Sequence, residues 1–287
     1  MIGRAWIQRR RPAARQGQAV LWNALAALVF LVMVFPIYWM IATSFKSGRD
    51  ILSLTPQWFP IHPTLANYED AWHKPFFLNA VLNSVQVVGT TVLITLALAF
   101  LAAVAIARYN FGGRKAFIVL VIGVQMVPLN ALIIPIYLLL DGAGQTDRLP
   151  GVVVTYLAFV LPFVIWTLRG FIANVPIDLE EQAMIDGCSR GGAFLRILLP
   201  LVAPGLVATA IYAFIQAWNE YIVAYVLLPT NENQTLTVWL AGFTTNHGPQ
   251  WGPLMAAATL TSLPVVAFFI VIQKRVVANL SAGAVKG

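Results

Sequence analysis

The sequence predicts an all-α integral membrane protein with six transmembrane helices. Hydrophobic residues make up 59% of its 287 residues and charged residues only 10%, whereas a typical soluble domain has about 25% charged residues. The mean hydropathy is +0.78. Long uncharged runs recur along the chain, and each reaches the roughly 20 residues that a helix needs to cross a bilayer.

Six such runs predict the transmembrane helices. The first is too long for the apolar core of a signal peptide. We expect the helices at about residues 19–43, 78–107, 116–139, 152–170, 201–227 and 254–274. The chain then divides into a basic N-terminal segment (1–18), a first helix (19–43), an external loop (44–77), a helical core (78–275) with a long cytoplasmic loop at 171–200, and a C-terminal tail (276–287).

The distribution of basic residues predicts the orientation. Cytoplasmic loops of membrane proteins carry the excess of Lys and Arg. The N-terminal segment, the loops at 108–115 and 169–196 and the C-terminal part from Lys274 onward together hold 14 basic residues, and the opposite side holds four. We therefore expect both termini in the cytoplasm. The net charge of +7 follows this topology and does not indicate a nucleic-acid partner.

The sequence has no pattern typical of a metal or catalytic site. The single cysteine, Cys188, excludes an internal disulfide and a CxxC metal site. His62, His73 and His247 lie far apart and are interpreted as solvated loop residues. The segment GGRK at 112–115 lacks the spacing and the hydroxyl residue of a phosphate-binding loop. We expect no catalytic residue, metal ligand or cofactor in this chain.

The loop between the fourth and fifth predicted helices carries charges that suit a short helix. Pro176 is tolerated in a first helical turn. Asp178, Glu180 and Glu181 then place negative charge where the helix dipole favours it. About thirty residues are more than a simple connection requires, and this excess favours docking to a cytoplasmic partner over a solvated connector.

Small residues predict how this short helix ends and what it presents. Leu179, Ala183 and Gly187 recur every fourth residue, and small side chains at that spacing let another surface approach the backbone. Gly187 suits the left-handed conformation that terminates a helix. Ser189 can cap a second helix, which runs into the fifth span.

The same loop resembles the EAA loop of permease subunits in ABC importers. The sequence reads EEQAMIDG, then nine residues, then ILLP. One departure is Gln182, where the pattern has alanine. The segment AWNEYIVA at 217–224 and the C-terminal sequence ending in SAGAVKG are similar to the maltose-type carbohydrate-uptake permeases. The matching positions of the loop are Glu181, Ala183, Gly187, Ile197, Leu199 and Pro200.

The resemblance implies a type I ABC importer permease in the inner membrane of a bacterial or archaeal cell. Such a subunit forms a heterodimer with a second permease among membrane lipids. Two cytoplasmic ATPase subunits bind ATP and Mg, and an extracytoplasmic sugar-binding protein delivers the substrate. No nucleic acid takes part, and the identity of the sugar stays open.

The resemblance also implies two sets of contacts with the ATPase subunits. In such importers the EAA loop contains the coupling helix that binds the ATPase. The C-terminal tail is expected to reach the ATPase dimer, and the alternative is that it is a frayed terminus without such a contact. The implied coupling residues are Leu179, Glu180, Glu181, Ala183, Asp186 and Gly187. The implied tail residues are Gly283, Ala284, Val285, Lys286 and Gly287.

Glu220 is the only acidic residue inside a predicted span. A charge at the bilayer centre costs about 2.5–3.5 kcal/mol on insertion scales, so Glu220 would face the bundle interior or a wet cavity. A rise of about 1.5 Å per residue from Pro200 instead places it about 30 Å away, near the outer edge. Two interpretations remain: a polar lining of the translocation pathway with Asn219 as helper, or an interfacial residue.

Two other function classes are compatible with a polytopic membrane protein. An ion-driven secondary carrier often has charged residues inside its spans and internal repeats. Here Glu220 is the only such residue, and the halves of the sequence are not duplicated. A membrane scaffold protein would need little more than the long external loops. The importer interpretation is favoured over both.

Overall fold

The computed structural model describes the backbone of residues 13–284 and the side chains of residues 18–272. Within these limits the chain is mainly helical, as predicted. It divides into two units, one formed by the part of the chain up to Ala71 with residues 250–259, and the other by residues 72–249 with the part from Leu260 onward.

The first unit begins with a long apolar helix. The apolar side chains of this helix are exposed along most of its length. Such a helix needs an apolar solvent, which the bilayer supplies while the helix satisfies its own backbone groups. The helices of this part of the chain are α1 (Ala13–Ser44), α2 (Gly48–Ile51) and α3 (Ala66–His73), the last of which ends just inside the second unit.

The predicted external loop is ordered by hydrogen bonds to the end of α1. The buried amide of Asn67 donates to the carbonyl oxygens of Ser44 at 2.9 Å and of Lys46 at 2.8 Å. The Ser44 hydroxyl lies 2.8 Å from the hydroxyl of Tyr68. The two bonds of Asn67 occupy main-chain acceptors at and just after the end of α1, so they fix the chain where it leaves the span.

The second unit contains the remaining helices and one two-residue hairpin. The antiparallel strands β1 (Thr244–Thr245) and β2 (Gly248–Pro249) form the hairpin. The helices are α4 (Phe77–Arg108), α5 (Arg114–Gln125), α6 (Ile133–Gly142), α7 (Leu149–Ala173), α8 (Asp178–Ile185), α9 (Arg190–Ala193), α10 (Leu199–Asn219), α11 (Ile222–Leu227), α12 (Leu236–Ala241) and α13 (Trp251–Ala284), which starts in the first unit.

The core of the second unit is the packing of α4, α7 and α10. Helix α4 lies along α7, and α10 packs against both. Gly205 of α10 lies so close to the ring of Phe171 that a Cβ atom at this position would stand 2.5 Å from it. Small residues allow such close approach between membrane helices. The buried centre includes Ala99, Ala103, Val164, Leu168, Leu198 and Val202.

The prediction of one continuous third span at 116–139 is wrong. Two helical segments replace it: α5, and the segment Leu129–Gly142, in which a 3-10 turn leads into α6; they meet at an angle of 92° across a short break. Pro128 lies in the break, where it has no N–H to donate and disfavours a helical conformation for Val127. Among the described helices five are long and apolar enough to cross a membrane, and the bent pair brings the number to six.

The predicted fifth span at 201–227 is also interrupted. Helix α10 ends at Asn219, and Glu220 adopts an extended conformation before α11 begins at Ile222. The first, second, fourth and sixth predicted spans each lie within an observed helix.

The side chain of Lys74 enters an aromatic enclosure close to the start of α4. Its Nζ lies 3.5 Å from the ring centroid of Phe243 and 5.4 Å from that of Trp239. This buried nitrogen hydrogen-bonds no group of the described residues. The ring faces favour the charged ammonium. Burial has the larger effect and lowers the pKa of Lys74 to about 8.

We expect the folded protein to gain stability as the pH rises from about 8 towards 10.5, the ordinary pKa of lysine. Over this interval the unfolded chain binds more protons at Lys74 than the folded chain does, so stability increases with pH and is lost as the pH falls through the folded-state pKa. The midpoint of thermal unfolding in detergent should therefore rise less steeply with pH in Lys74→Met than in the parent chain. Equal slopes would contradict the expectation.

Candidate functional site

Helix α8 of the predicted coupling loop ends in a left-handed turn. Gly187 has a φ of +92°. The N–H of Cys188 donates to the carbonyl of Ala183 at 2.9 Å, and the N–H of Gly187 donates to that of Met184 at 3.1 Å. These two bonds form the Schellman motif that satisfies the last carbonyls of a helix. The predicted role of Gly187 in ending the helix is confirmed.

Ser189 begins the second helical segment, as predicted. Its hydroxyl oxygen accepts a hydrogen bond from the N–H of Gly192 at 3.1 Å, which caps α9. Between α9 and α10 the backbone forms a π-helix at Phe194–Leu198. A π-turn within an α-helix contains one residue more than an α-helical turn. The sequence offers no signal for this segment, because the apolar pattern of an α-helix also fits it.

The salt bridge between Arg108 and Glu180 attaches α8 to the end of α4. The Nε and Nη2 atoms of Arg108 both lie 2.8 Å from Oε1 of Glu180, and Nη2 also donates to the carbonyl of Val175 at 2.9 Å. The side chains are 10% and 16% exposed. Charge-assisted bonds shielded from water hold geometry well. Glu180 is thus engaged within the chain by Arg108, a partner that the sequence pattern does not indicate.

The remaining predicted coupling residues divide between an exposed and a buried face of α8. Leu179, Glu181, Asp186 and Gly187 are exposed. Ala183 is only 8% exposed, and its predicted contact with another protein stays a prediction. Helix α8 packs against α9.

Glu220 closes the break between α10 and α11. The Oε1 atom accepts a hydrogen bond from the N–H of Val223 at 2.9 Å, and Oε2 accepts one from the N–H of Ala224 at 3.2 Å. The hydroxyl of Tyr156 on α7 donates to Oε2 at 2.8 Å. The hydroxyl of Thr237 on α12 donates to the main-chain carbonyl of Glu220 at 2.8 Å. The carboxylate therefore caps α11 and bonds to α7, while the main-chain carbonyl of the same residue bonds to α12.

Asn219 does not share this network. Its amide donates to the carbonyl of Ile215 on its own helix at 2.9 Å, and its side chain is exposed. The premise that Glu220 lies within a continuous span is corrected, because the helix stops one residue before it. A lining role of Glu220 and Asn219 in the translocation pathway stays a prediction.

The predicted tail contact falls almost entirely outside the described part of the chain. Gly283 and Ala284 are the last residues of helix α13, and nothing is described of their side-chain surroundings. Val285, Lys286 and Gly287 lie outside the described residues. Within the described residues, no group of three or more His, Cys, Asp and Glu side chains is placed to hold a metal ion.

The capping role of Glu220 predicts that its loss destabilises the protein. Glu220→Ala removes the cap of α11 and leaves the Tyr156 hydroxyl without an acceptor, at a cost of about 1–3 kcal/mol. We expect a lower midpoint of thermal unfolding in detergent, and a smaller decrease in Glu220→Gln. Glu232→Ala, which removes an exposed carboxylate of the same half of the chain, is the control. If Glu220→Ala unfolds like this control, the capping role is wrong.

Sequence comparisons place the chain among membrane transport proteins. Residues 96–281 match the family described as binding-protein-dependent transport system inner membrane component. The diacetylchitobiose uptake system permease protein DasC of Streptomyces coelicolor is 43% identical over 265 residues, which are 92% of this chain and 96% of the relative. The trehalose transport system permease protein SugB of Mycobacterium tuberculosis is 34% identical over 272 residues, 94% and 98% of the two chains.

The fold itself agrees with this assignment. A crystal structure of a bacterial ABC transporter involved in the import of the acidic polysaccharide alginate contains a chain that matches with a TM-score of 0.77 and 20% identity. The match covers 94% of this chain and 99% of the other. The predicted type I importer architecture is confirmed. The chain is a multi-pass inner-membrane permease and belongs to the family of binding-protein-dependent transport system inner membrane components.

Proposed function

We propose that this chain is one transmembrane subunit of an ATP-driven importer that carries a sugar or a related carbohydrate across the inner membrane. The relatives described above are named for uptake of diacetylchitobiose and for transport of trehalose, both of them sugars. The chain itself acts without catalytic residues or a bound cofactor. ATP and Mg belong to the partner ATPase subunits, which supply the energy.

The observation that carries this proposal is the way α8 is held. It lies between two membrane-crossing helices, α7 and α10, and presents Leu179 and Glu181 to solvent. The salt bridge of Glu180 with Arg108 fixes one side of α8, and the turn at Gly187 fixes its end. A charged helix attached this firmly moves together with the bundle, so a partner that moves α8 also moves the spans.

The energetic requirement of coupling follows from differential binding. ATP shifts the transporter from one conformation to another only to the extent that the assembly with ATP favours the second conformation. In this proposal two ATPase subunits bring about that difference, and α8 transmits it. A second permease completes the bundle as a heterodimer, an extracytoplasmic sugar-binding protein delivers the substrate, and lipid surrounds the exposed apolar side chains of α1.

Sugar flux into vesicles that contain the complete importer tests the proposal. We expect uptake of diacetylchitobiose, trehalose or maltose to require ATP and the binding protein. Glu181→Lys reverses an exposed charge at the proposed ATPase contact and should lower uptake and sugar-stimulated ATP hydrolysis about tenfold, which corresponds to about 1.4 kcal/mol. Association of the ATPase with the permease should weaken in parallel.

Two variants distinguish this effect from general damage. Glu232→Lys makes the same change of charge in the loop between α11 and α12 and should leave ATPase association unchanged. Glu180→Gln breaks the salt bridge with Arg108 and should lower the free energy of unfolding by about 1–3 kcal/mol. Glu181→Lys should leave the free energy of unfolding unchanged. Uptake that continues without ATP would indicate an ion-driven carrier, and absence of any flux would indicate a scaffold protein.

The orientation of the chain is tested at its single cysteine. Cys188 lies next to the turn at Gly187, is partly exposed and forms no disulfide. In cells that express the permease without its ATPase, a membrane-impermeant thiol reagent should label Cys188 only after permeabilisation. Thr55→Cys in a Cys188→Ser chain provides a matched external site, which should react in intact cells. Labelling of Cys188 in intact cells would reverse the proposed orientation.

A further inference from the structure

We propose that the first unit contains a carbohydrate-binding subsite at the end of α1. This inference rests on the proposed function, because that function supplies the class of ligand. The end of α1, the segment that follows α2 and the first turns of α13 enclose a cavity of about 440 Å³. This volume lies within the range of about 300–1,000 Å³ typical of small-molecule sites.

Two polar atoms in this cavity lack a partner within the described part of the chain. Thr43 is 6% exposed, and its Oγ1 atom forms no hydrogen bond. The Oε1 atom of Gln57 is also buried without a partner. Both residues line the cavity. Since buried polar groups are almost always hydrogen-bonded, a pair of free oxygens facing one cavity indicates a site built for a ligand that donates hydrogen bonds.

The charges on the cavity wall select the kind of ligand. Lys46 is 2% exposed, and its Nζ lies 4.0 Å from the ring centroid of Trp39. The carboxylate of Asp50 accepts hydrogen bonds from the Ser47 hydroxyl at 2.8 Å and from the Gln57 amide at 3.3 Å. The carboxylate of Asp50 would repel an anion, and the ammonium of Lys46 would repel a cation. A neutral polyhydroxyl compound can accept from Lys46 and donate to Asp50, because each hydroxyl group does both.

An apolar surface completes the set of groups that a sugar ring requires. Trp251 lines the cavity and is 46% exposed, so its indole is accessible. Met255 lies one turn further along α13 and also lines the cavity. A pyranose ring has hydroxyl groups at its edge and C–H groups on its faces. The indole of Trp251 fits such a face, and the polar atoms described above fit the edge.

The cavity is formed before any ligand enters. The buried Asn67 side chain holds the carbonyl oxygen of Lys46 at 2.8 Å and thereby fixes the chain beside the cavity. The same side chain lies against Gly252, where a Cβ atom would stand 2.3 Å from the Asn67 oxygen. Glycine at this position therefore allows the start of α13, with Trp251, to approach the loop. A preformed site loses less entropy when it binds.

Sugar binding to the purified permease in lipid nanodiscs, without the binding protein, tests the inference. Saturation-transfer NMR with maltose, trehalose and diacetylchitobiose should detect binding of at least one of them. Thr43→Val keeps the shape and removes the free hydroxyl, and Trp251→Leu removes the indole. Each should weaken binding about three- to tenfold, as expected for one lost hydrogen bond or ring contact. Thr95→Val, which removes another buried and unpartnered hydroxyl outside the cavity, should bind as the parent chain does.

The outcomes separate this inference from the proposed function. If no sugar binds the nanodisc-embedded chain while the complete importer still transports sugar, the subsite is wrong and the proposed function stands. If binding occurs but Thr43→Val and Trp251→Leu behave like Thr95→Val, the sugar binds elsewhere and the inference also fails. If glycerophosphoethanolamine binds in the same NMR experiment and no sugar does, the cavity belongs to a lipid headgroup and the inference fails. An importer without sugar flux would overturn the proposed function itself.

Discussion

Every interruption of a membrane helix must satisfy the backbone groups that it frees, because the bilayer offers them no partners. This constraint explains the polar residues in the second unit. At the break between α10 and α11, the carboxylate of Glu220 accepts hydrogen bonds from the N–H groups of Val223 and Ala224. The main-chain carbonyl of Glu220 accepts one from the hydroxyl of Thr237. A charged side chain is tolerated there because it replaces the missing helical acceptors. From the sequence alone, a charge inside a predicted span suggests that Glu220 lines the translocation pathway.

The loop between α7 and α10 follows the same rule outside the apolar region. The Schellman turn at Gly187 satisfies the end of α8, and Ser189 satisfies the beginning of α9. The salt bridge of Arg108 with Glu180 then connects the loop to α4, a helix distant in sequence. Local capping and one long-range ion pair thus fix a helix that contributes little apolar burial of its own. The exposed Leu179 and Glu181 remain free for a partner.

Much of the fold follows from the sequence because apolar runs and basic loops respond to the bilayer directly. The turn at Gly187 and the cap at Ser189 were predictable as well, since each depends on a few adjacent residues. The salt bridge of Arg108 was not, because no spacing relates it to Glu180 before the helices are packed. The break after Asn219 was equally hidden, because apolar residues on both sides continue the pattern of a span. The burial of Ala183 was not predictable either, because spacing alone does not distinguish the two faces of α8.

The π-helix at Phe194–Leu198 changes how the face of α10 must be assigned. An α-helix advances about 100° per residue, so one extra residue in a π-turn rotates everything after it by that angle. A helical wheel drawn continuously from Arg190 through Asn219 would therefore assign the wrong side of α10 to the bundle. Cysteine pairs chosen from such a wheel would fail to cross-link for geometric reasons, although the helices pack closely. For distance measurements, residues on α10 should be chosen from a helical wheel that begins at Leu199.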